Sequence, residues 1–214
     1  MAYTRHNLNK KEYTMTVNVL VAGATGKTGR QLVAQINEMG GNPTALVRDS
    51  SDTSVLPEGT TTRIADLTDL DQDVCAGADV VVFAAGSGGD TDASMTDKVD
   101  RDGAIRLIDL AAKSGATRFV MLSTVGADAE NPEGELAHYL EAKHAADEHL
   151  KKSGLTYSIL RPVSLTDEGR SDKIVLGSSV DKSAQASRAD VAHVLADAAV
   201  NGTHDGIAQD MQSA

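Results

Sequence analysis

The chain has 214 residues, enough to bury one substantial core and few for two, so a single domain is expected. Its formal net charge of −11, with aspartates well outnumbering glutamates, argues against the basic face that a nucleic acid or an anionic membrane would require. A single cysteine, Cys75, rules out an internal disulfide and suits a reducing cytoplasm, and no apolar stretch approaches the roughly 20 residues of a spanning helix.

The polar start, MAYTRHNLNKKEYT, lacks the apolar stretch of a signal peptide and reads as a flexible arm over residues 1–15, with the domain running from 16 to 214. A β-rich run at 17–22 then meets the glycines of NVLVAGATGKTGR. Gly26, Lys27 and Thr28 look like the end of a P-loop, but that motif needs its first glycine where Val21 stands. The spacing present, Gly23, Gly26 and Gly29 between a strand and a helix expected over 27–39, is instead a variant of the dinucleotide-binding turn. In that arrangement Gly23 permits the tight turn, Gly26 lets the backbone approach a pyrophosphate and Gly29 lets helix and strand pack closely. The helix N-terminus then offers free N–H groups and a favourable dipole to the phosphates, and the Lys27 amide matters more than its ammonium.

The second strand, 43–48, ends on Arg48, about where these folds select their cofactor. An acidic residue there binds the ribose 2′-hydroxyl of NAD, whereas an arginine accommodates the 2′-phosphate, so NADP(H) is favoured over NAD(H) although Asp49 comes next. A third strand, 62–65, closes on Asp66 and Leu67, where a carboxylate can accept from an adenine amino group or cap the next helix. Beyond a short helix near 69–75, the fourth strand at 79–84 runs into the glycine-rich loop 86–95, at the sheet edge where ligands bind in this class. Strands and helices continue to alternate: a helix at 96–114, a strand at 117–122, a helix at 134–153, a strand at 155–161 and a helix at 189–200. A further short strand lies in 173–179, and the tail NGTHDGIAQDMQSA has no clear apolar strand. The alternation predicts an α/β fold of Rossmann type, a doubly wound parallel sheet with helices on both faces.

Two clusters carry the chemistry. HYLEAK places Tyr139 and Lys143 four apart on one helix face, where an ammonium beside a phenol favours the phenolate and fits the tyrosine for acid/base work on a carbonyl or alcohol. One strand earlier, Ser123 and Thr124 end the fifth strand, and alternation of side chains lets only one of these hydroxyls point into the cleft. The histidines show no metal-ligand spacing.

Taken together these residues resemble the short-chain dehydrogenase/reductase superfamily, in its atypical, epimerase-like and NmrA-like NAD(P)-binding branch, from Met15 to about Ala199. The resemblance implies that GATGKTG, including Thr25, is the pyrophosphate loop, that LVRD is the NADP-selecting strand end, and that Ala84, Ala85 and Gly86 run along the cofactor. It implies Asp100 at the place of a structural asparagine, Thr124 as the substrate-orienting hydroxyl, and Pro162 and Val163 beside the nicotinamide, with Lys143 holding its ribose. Ser187 would cap the last helix. The chain ends soon after that helix, so the substrate lobe of larger epimerases is not expected. The activity implied is hydride transfer between NADP(H) and a small carbonyl or alcohol, in a monomer or homodimer; a redox sensor of NmrA type and a flavin or biliverdin reductase-like enzyme are the alternatives.

Overall fold

The computed structural model describes residues 16–88, 93–129 and 131–214. The arm expected at 1–15 and residues 89–92 of the glycine-rich loop lie outside the described residues.

Eight strands form one sheet in the order β3-β2-β1-β4-β5-β6-β10-β8. The first four are β1 (Asn18–Ala22), β2 (Asn42–Val47), β3 (Thr61–Ile64) and β4 (Val80–Phe83). The others are β5 (Arg118–Leu122), β6 (Thr156–Pro162), β8 (Ile174–Leu176) and β10 (Ile207–Ser213). Every pairing is parallel except that of β10 with β8. A separate parallel pair joins β7 (Ser164–Thr166) to β9 (Gln185–Ser187).

Side-chain alternation makes this sheet two-faced. On β1, Val19 and Val21 enter one core together with α1 (Gly29–Glu38) and α5 (Arg188–Asn201), while Leu20 and Ala22 enter the other. That second core is closed by α3 (Ala104–Ser114) and α4 (Ala137–Lys152) through Leu107, Ile108, Ala146 and Leu150. With both faces covered, the central strands read as continuous apolar runs, as in VVVF of β4. The doubly wound arrangement expected from the sequence is therefore the one observed.

Three local expectations change. The stretch 69–75 is a succession of turns rather than a helix: the amides of Val74 and Ala76 reach back three residues, to the carbonyls of Asp71 and Asp73, while the carbonyls of Val74 and Ala76 accept from the Arg63 guanidinium. The helix expected at 96–114 is a short turn, α2 (Ala93–Thr96), then a π-helical stretch at Asp97–Gly103, then α3. The tail does form a strand, β10, inserted between β6 and β8. Ser187 caps α5 as expected, its hydroxyl accepting from the Ala189 and Asp190 amides. Among the described residues no helix is long and apolar enough to cross a membrane, and no cluster of three or more His, Cys, Asp or Glu is placed to hold a metal.

Candidate functional site

A cleft of about 400 Å³ opens at the carboxyl ends of the central strands. The glycine turn between β1 and α1 supplies Gly23, Thr25 and Gly26; the ends of β2 and β3 supply Arg48, Asp66 and Leu67; and the end of β4 supplies Ala84, Ala85 and Gly86. Gly23 has a φ of 79°, and a Cβ there would stand 2.5 Å from the Ala85 nitrogen, so the turn and the β4 exit touch backbone to backbone. A Cβ on Gly29 would fall 2.0 Å from the Gly23 carbonyl oxygen, which is why the helix can begin directly under the turn. Gly26 differs, since its Cβ would meet only that carbonyl, at 3.2 Å. The remaining space beside it belongs to the cleft. Thr28 occupies the N-cap position of α1 and makes no side-chain cap bond, while the Arg30 amide donates to the Gly26 carbonyl at 3.0 Å and the Leu32 amide to the Thr28 carbonyl at 2.9 Å. Lys27 does not line the cleft; its ammonium lies 2.6 Å from Asp167, which Arg188 also engages.

Arg48, just past the end of β2, is exposed, its amide donating to the Ser51 hydroxyl at 3.1 Å. Asp66 accepts from both the amide and the hydroxyl of Thr68 at 2.8 Å, and the backbone bond above all holds its carboxyl below the ordinary range. Asp66 thus fastens the turn after β3, and no helix comes after it to be capped.

A second cluster adjoins the first. Asp100, fully buried in the π-helical stretch, accepts from the Ser87 amide at 2.9 Å, and Ser87 is part of the cleft wall. Its other oxygen stands 3.5 Å from Lys143 Nζ. Lys143 is 3% exposed, donates to the Leu122 carbonyl at 3.1 Å, and lies 5.9 Å from the centre of the Tyr139 ring. A buried ammonium needs such partners to offset its lost hydration. Tyr139 itself is half-buried.

The two hydroxyls at the end of β5 separate clearly. Ser123 is buried and donates to Asp147 at 2.9 Å, and Asp147 also accepts from Arg161 Nε at 3.0 Å. Thr124 is half-buried and shows no such bond among the described residues. Burial pushes the Asp147 carboxyl above its usual range, against the pull of Arg161, Ser123 and Lys143. Pro162 and Val163 do not reach the cleft lining: the Pro162 carbonyl accepts from the Val125 amide, and buried Val163 donates to the Met211 carbonyl. Cys75 is buried, which raises its thiol to about 11 and leaves it without nucleophilic character at neutral pH.

Sequence reading missed Ser51, Ser87, Met95 and Lys98 as cleft-lining residues and Asp147 with Arg161 as the fastening of Ser123. Asp147 continues the four-residue rhythm of Tyr139 and Lys143 on α4, which is the one signal that pointed to it.

A cleft at the point where strand order reverses between β1 and β4, floored by a glycine turn and an uncapped helix N-terminus, defines a nucleotide-binding Rossmann protein. The profile of the NAD(P)H-binding family matches residues 23–201, and the chain belongs to that family. It is 38% identical over 161 residues to YhfK of Bacillus subtilis, named as an uncharacterized sugar epimerase, covering 71% of this chain and 74% of that one. Among solved structures it is similar to a Bacillus halodurans protein described as an NAD-dependent epimerase/dehydratase, with a TM-score of 0.85, 35% identity and coverage of 92% and 94% of the two chains. The oxidoreductase YlbE of Lactococcus lactis superposes with a TM-score of 0.81 at 26% identity, over 92% of this chain and 91% of that one.

Proposed function

We propose that the chain is an NADP(H)-dependent oxidoreductase of the atypical short-chain dehydrogenase/reductase type, acting in the cytoplasm on a small carbonyl or alcohol, with residues 16–214 as its cofactor-binding unit. The dinucleotide suits the residues present: the space beside Gly26 is one that a side chain would fill, and the first amides of α1 lack a capping side chain. In this reading Gly23, Thr25, Gly26, Thr28 and Gly29 build the pyrophosphate seat, Arg48 takes the 2′-phosphate and Asp66 with Leu67 faces the adenine. Ala84, Ala85 and Gly86 flank the chain of the cofactor, with Pro162 and Val163 behind the nicotinamide end. A bound nicotinamide supplies or accepts the hydride.

The proton is the task of the chain itself. Tyr139 gives its hydroxyl proton to the substrate oxygen as the carbon becomes an alcohol, and takes it back in the reverse direction. Lys143, 5.9 Å from the centre of the Tyr139 ring, reaches the nicotinamide ribose. Thr124 orients the substrate oxygen, since Ser123 is committed to Asp147. The observation that carries this reading is Asp100, which joins the cleft wall at Ser87 to the Lys143 ammonium and so sets the Tyr139–Lys143 pair beside the cofactor cleft.

The test is hydride transfer over a panel of aldehydes, ketones, quinones and flavins with both cofactors, and then Tyr139→Phe on whatever is turned over. Loss of the transferable proton should lower turnover about 100-fold or more with little change in NADP(H) affinity. Turnover at the unmutated rate would leave only the cofactor-binding half of the reading. An epimerase variant, suggested by the name of the Bacillus subtilis relative, would return the hydride to the same substrate and show no net NADPH consumption.

A further inference from the structure

The charge lining the adenosine end of the cleft does not close on Arg48 alone. Among the described residues three charged side chains line the cleft: Arg48, Asp66 and Lys98. Asp66 lies close enough to Arg48 for the guanidinium to help depress its carboxyl, so these two offset one another. A 2′-phosphate brings between one and two negative charges at neutral pH. Facing a neutral lining on a chain of net charge −11, it would gain little. Among the described residues Lys98 makes the lining positive.

Its position is fixed by the fold. Lys98 and Val99 face the cleft from the π-helical stretch whose next residue, Asp100, is locked by the Ser87 amide and Lys143. Lys98 also borders a second groove with Leu67, Thr68 and Asp69, the residues just past β3. That places it at the β2–β3 end of the sheet, on the side of the adenosine. Many cations of this acidic chain are held in ion pairs, Lys27 with Asp167 and Arg101 with Asp97 and Asp102 among them. Lys98 lies within ion-pair distance of no carboxylate among the described residues, although Asp69 and Asp102 share its groove.

We propose that Lys98 is a specificity-determining residue for the cofactor, a second cation that closes on the 2′-phosphate together with Arg48. This rests on the NADP(H) reading given above and deepens it.

Calorimetric titration with NADPH, NADH and 2′,5′-ADP, the last isolating the adenosine end, tests it in four variants. Lys98→Gln should weaken NADPH and 2′,5′-ADP about tenfold, the worth of one charge-assisted bond, and leave NADH within about twofold. Lys98→Arg should keep most of the affinity. Arg106→Gln removes an equal charge from a residue that borders the second groove but not the cleft, and should alter neither dinucleotide. Arg48→Gln should reduce the preference for NADPH independently. If Lys98→Gln keeps the full NADPH preference while Arg48→Gln loses it, the role given to Lys98 is wrong and the NADP(H) reading stands. Equal weakening of NADPH and NADH would put Lys98 on another part of the dinucleotide and overturn the proposal. If the unmutated protein binds both cofactors alike, both readings fall.

Discussion

Gly23, Gly26 and Gly29 occupy one short turn, but the atoms around them separate their duties. A methyl at Gly29 would sit inside the Gly23 carbonyl, with backbone on every near contact. Gly29→Ala should therefore cost at least the roughly 1–3 kcal/mol typical of overpacking, seen as a lowered denaturant midpoint with or without cofactor. At Gly26 the Cβ contact is only tight, 3.2 Å, and the rest of a side chain would project into the cleft. Gly26→Val should leave a folded protein by circular dichroism and abolish NADPH binding; retained affinity would mean the turn serves the fold alone. The choice between Ser123 and Thr124 belongs to the same scale. Alternation along β5 lets only one of them face a cleft, and Asp147 and Arg161, which approach from α4 and β6, occupy Ser123.

At the level of elements, the strands and helices easiest to read were those whose apolar residues serve both faces of the sheet. β1, β4 and β5 are buried along nearly their whole length, and the apolar rows of α1 and α3 pack onto them. The region 69–75 misled because Leu70 and Val74 are spaced like a helix stripe; both are buried, but the backbone there closes tight three-residue turns, Val74 onto Asp71 and Ala76 onto Asp73. The tail was illegible for the opposite reason. Only Met211 of IAQDMQS is fully buried, and the strand owes its existence to ladders with β6 and β8 rather than to its own composition. Met211→Ala should therefore destabilise by about 2–5 kcal/mol in urea unfolding, a core-sized effect from a residue in an apparently polar tail. For the site, the cofactor turn and the tyrosine–lysine spacing are local and could be read directly. Lys98 could not be, because its place in the cleft comes from how the π-helical stretch docks against the residues after β3.

On the scale of the whole molecule, Asp190 ties three distant segments together. It is fully buried at the start of α5 and accepts from the Ser171 amide and hydroxyl, the Asp172 amide and the Ser213 hydroxyl of β10. Burial pushes its carboxyl up, but the bonds from Ser213, Ser171 and Asp172 outweigh it and hold it below its ordinary value. A carboxyl depressed in the folded state contributes stability that is present above its unfolded pKa of about 4 and is lost as pH falls through the folded value. Thermal unfolding should thus show a falling midpoint below about pH 4, and Asp190→Asn, although less stable at neutral pH, should show a shallower fall. An undiminished slope in that variant would assign the acid sensitivity to other carboxyls. The eight-stranded sheet also ends in two very short borders, β3 with four residues and β8 with three. Each exposes too little unpaired backbone to template a foreign strand, and on a strongly anionic chain mutual repulsion adds to that protection. Ile64, the most exposed large apolar side chain among the described residues, sits on that short β3 border, where the few unpaired backbone groups give a foreign strand little to extend.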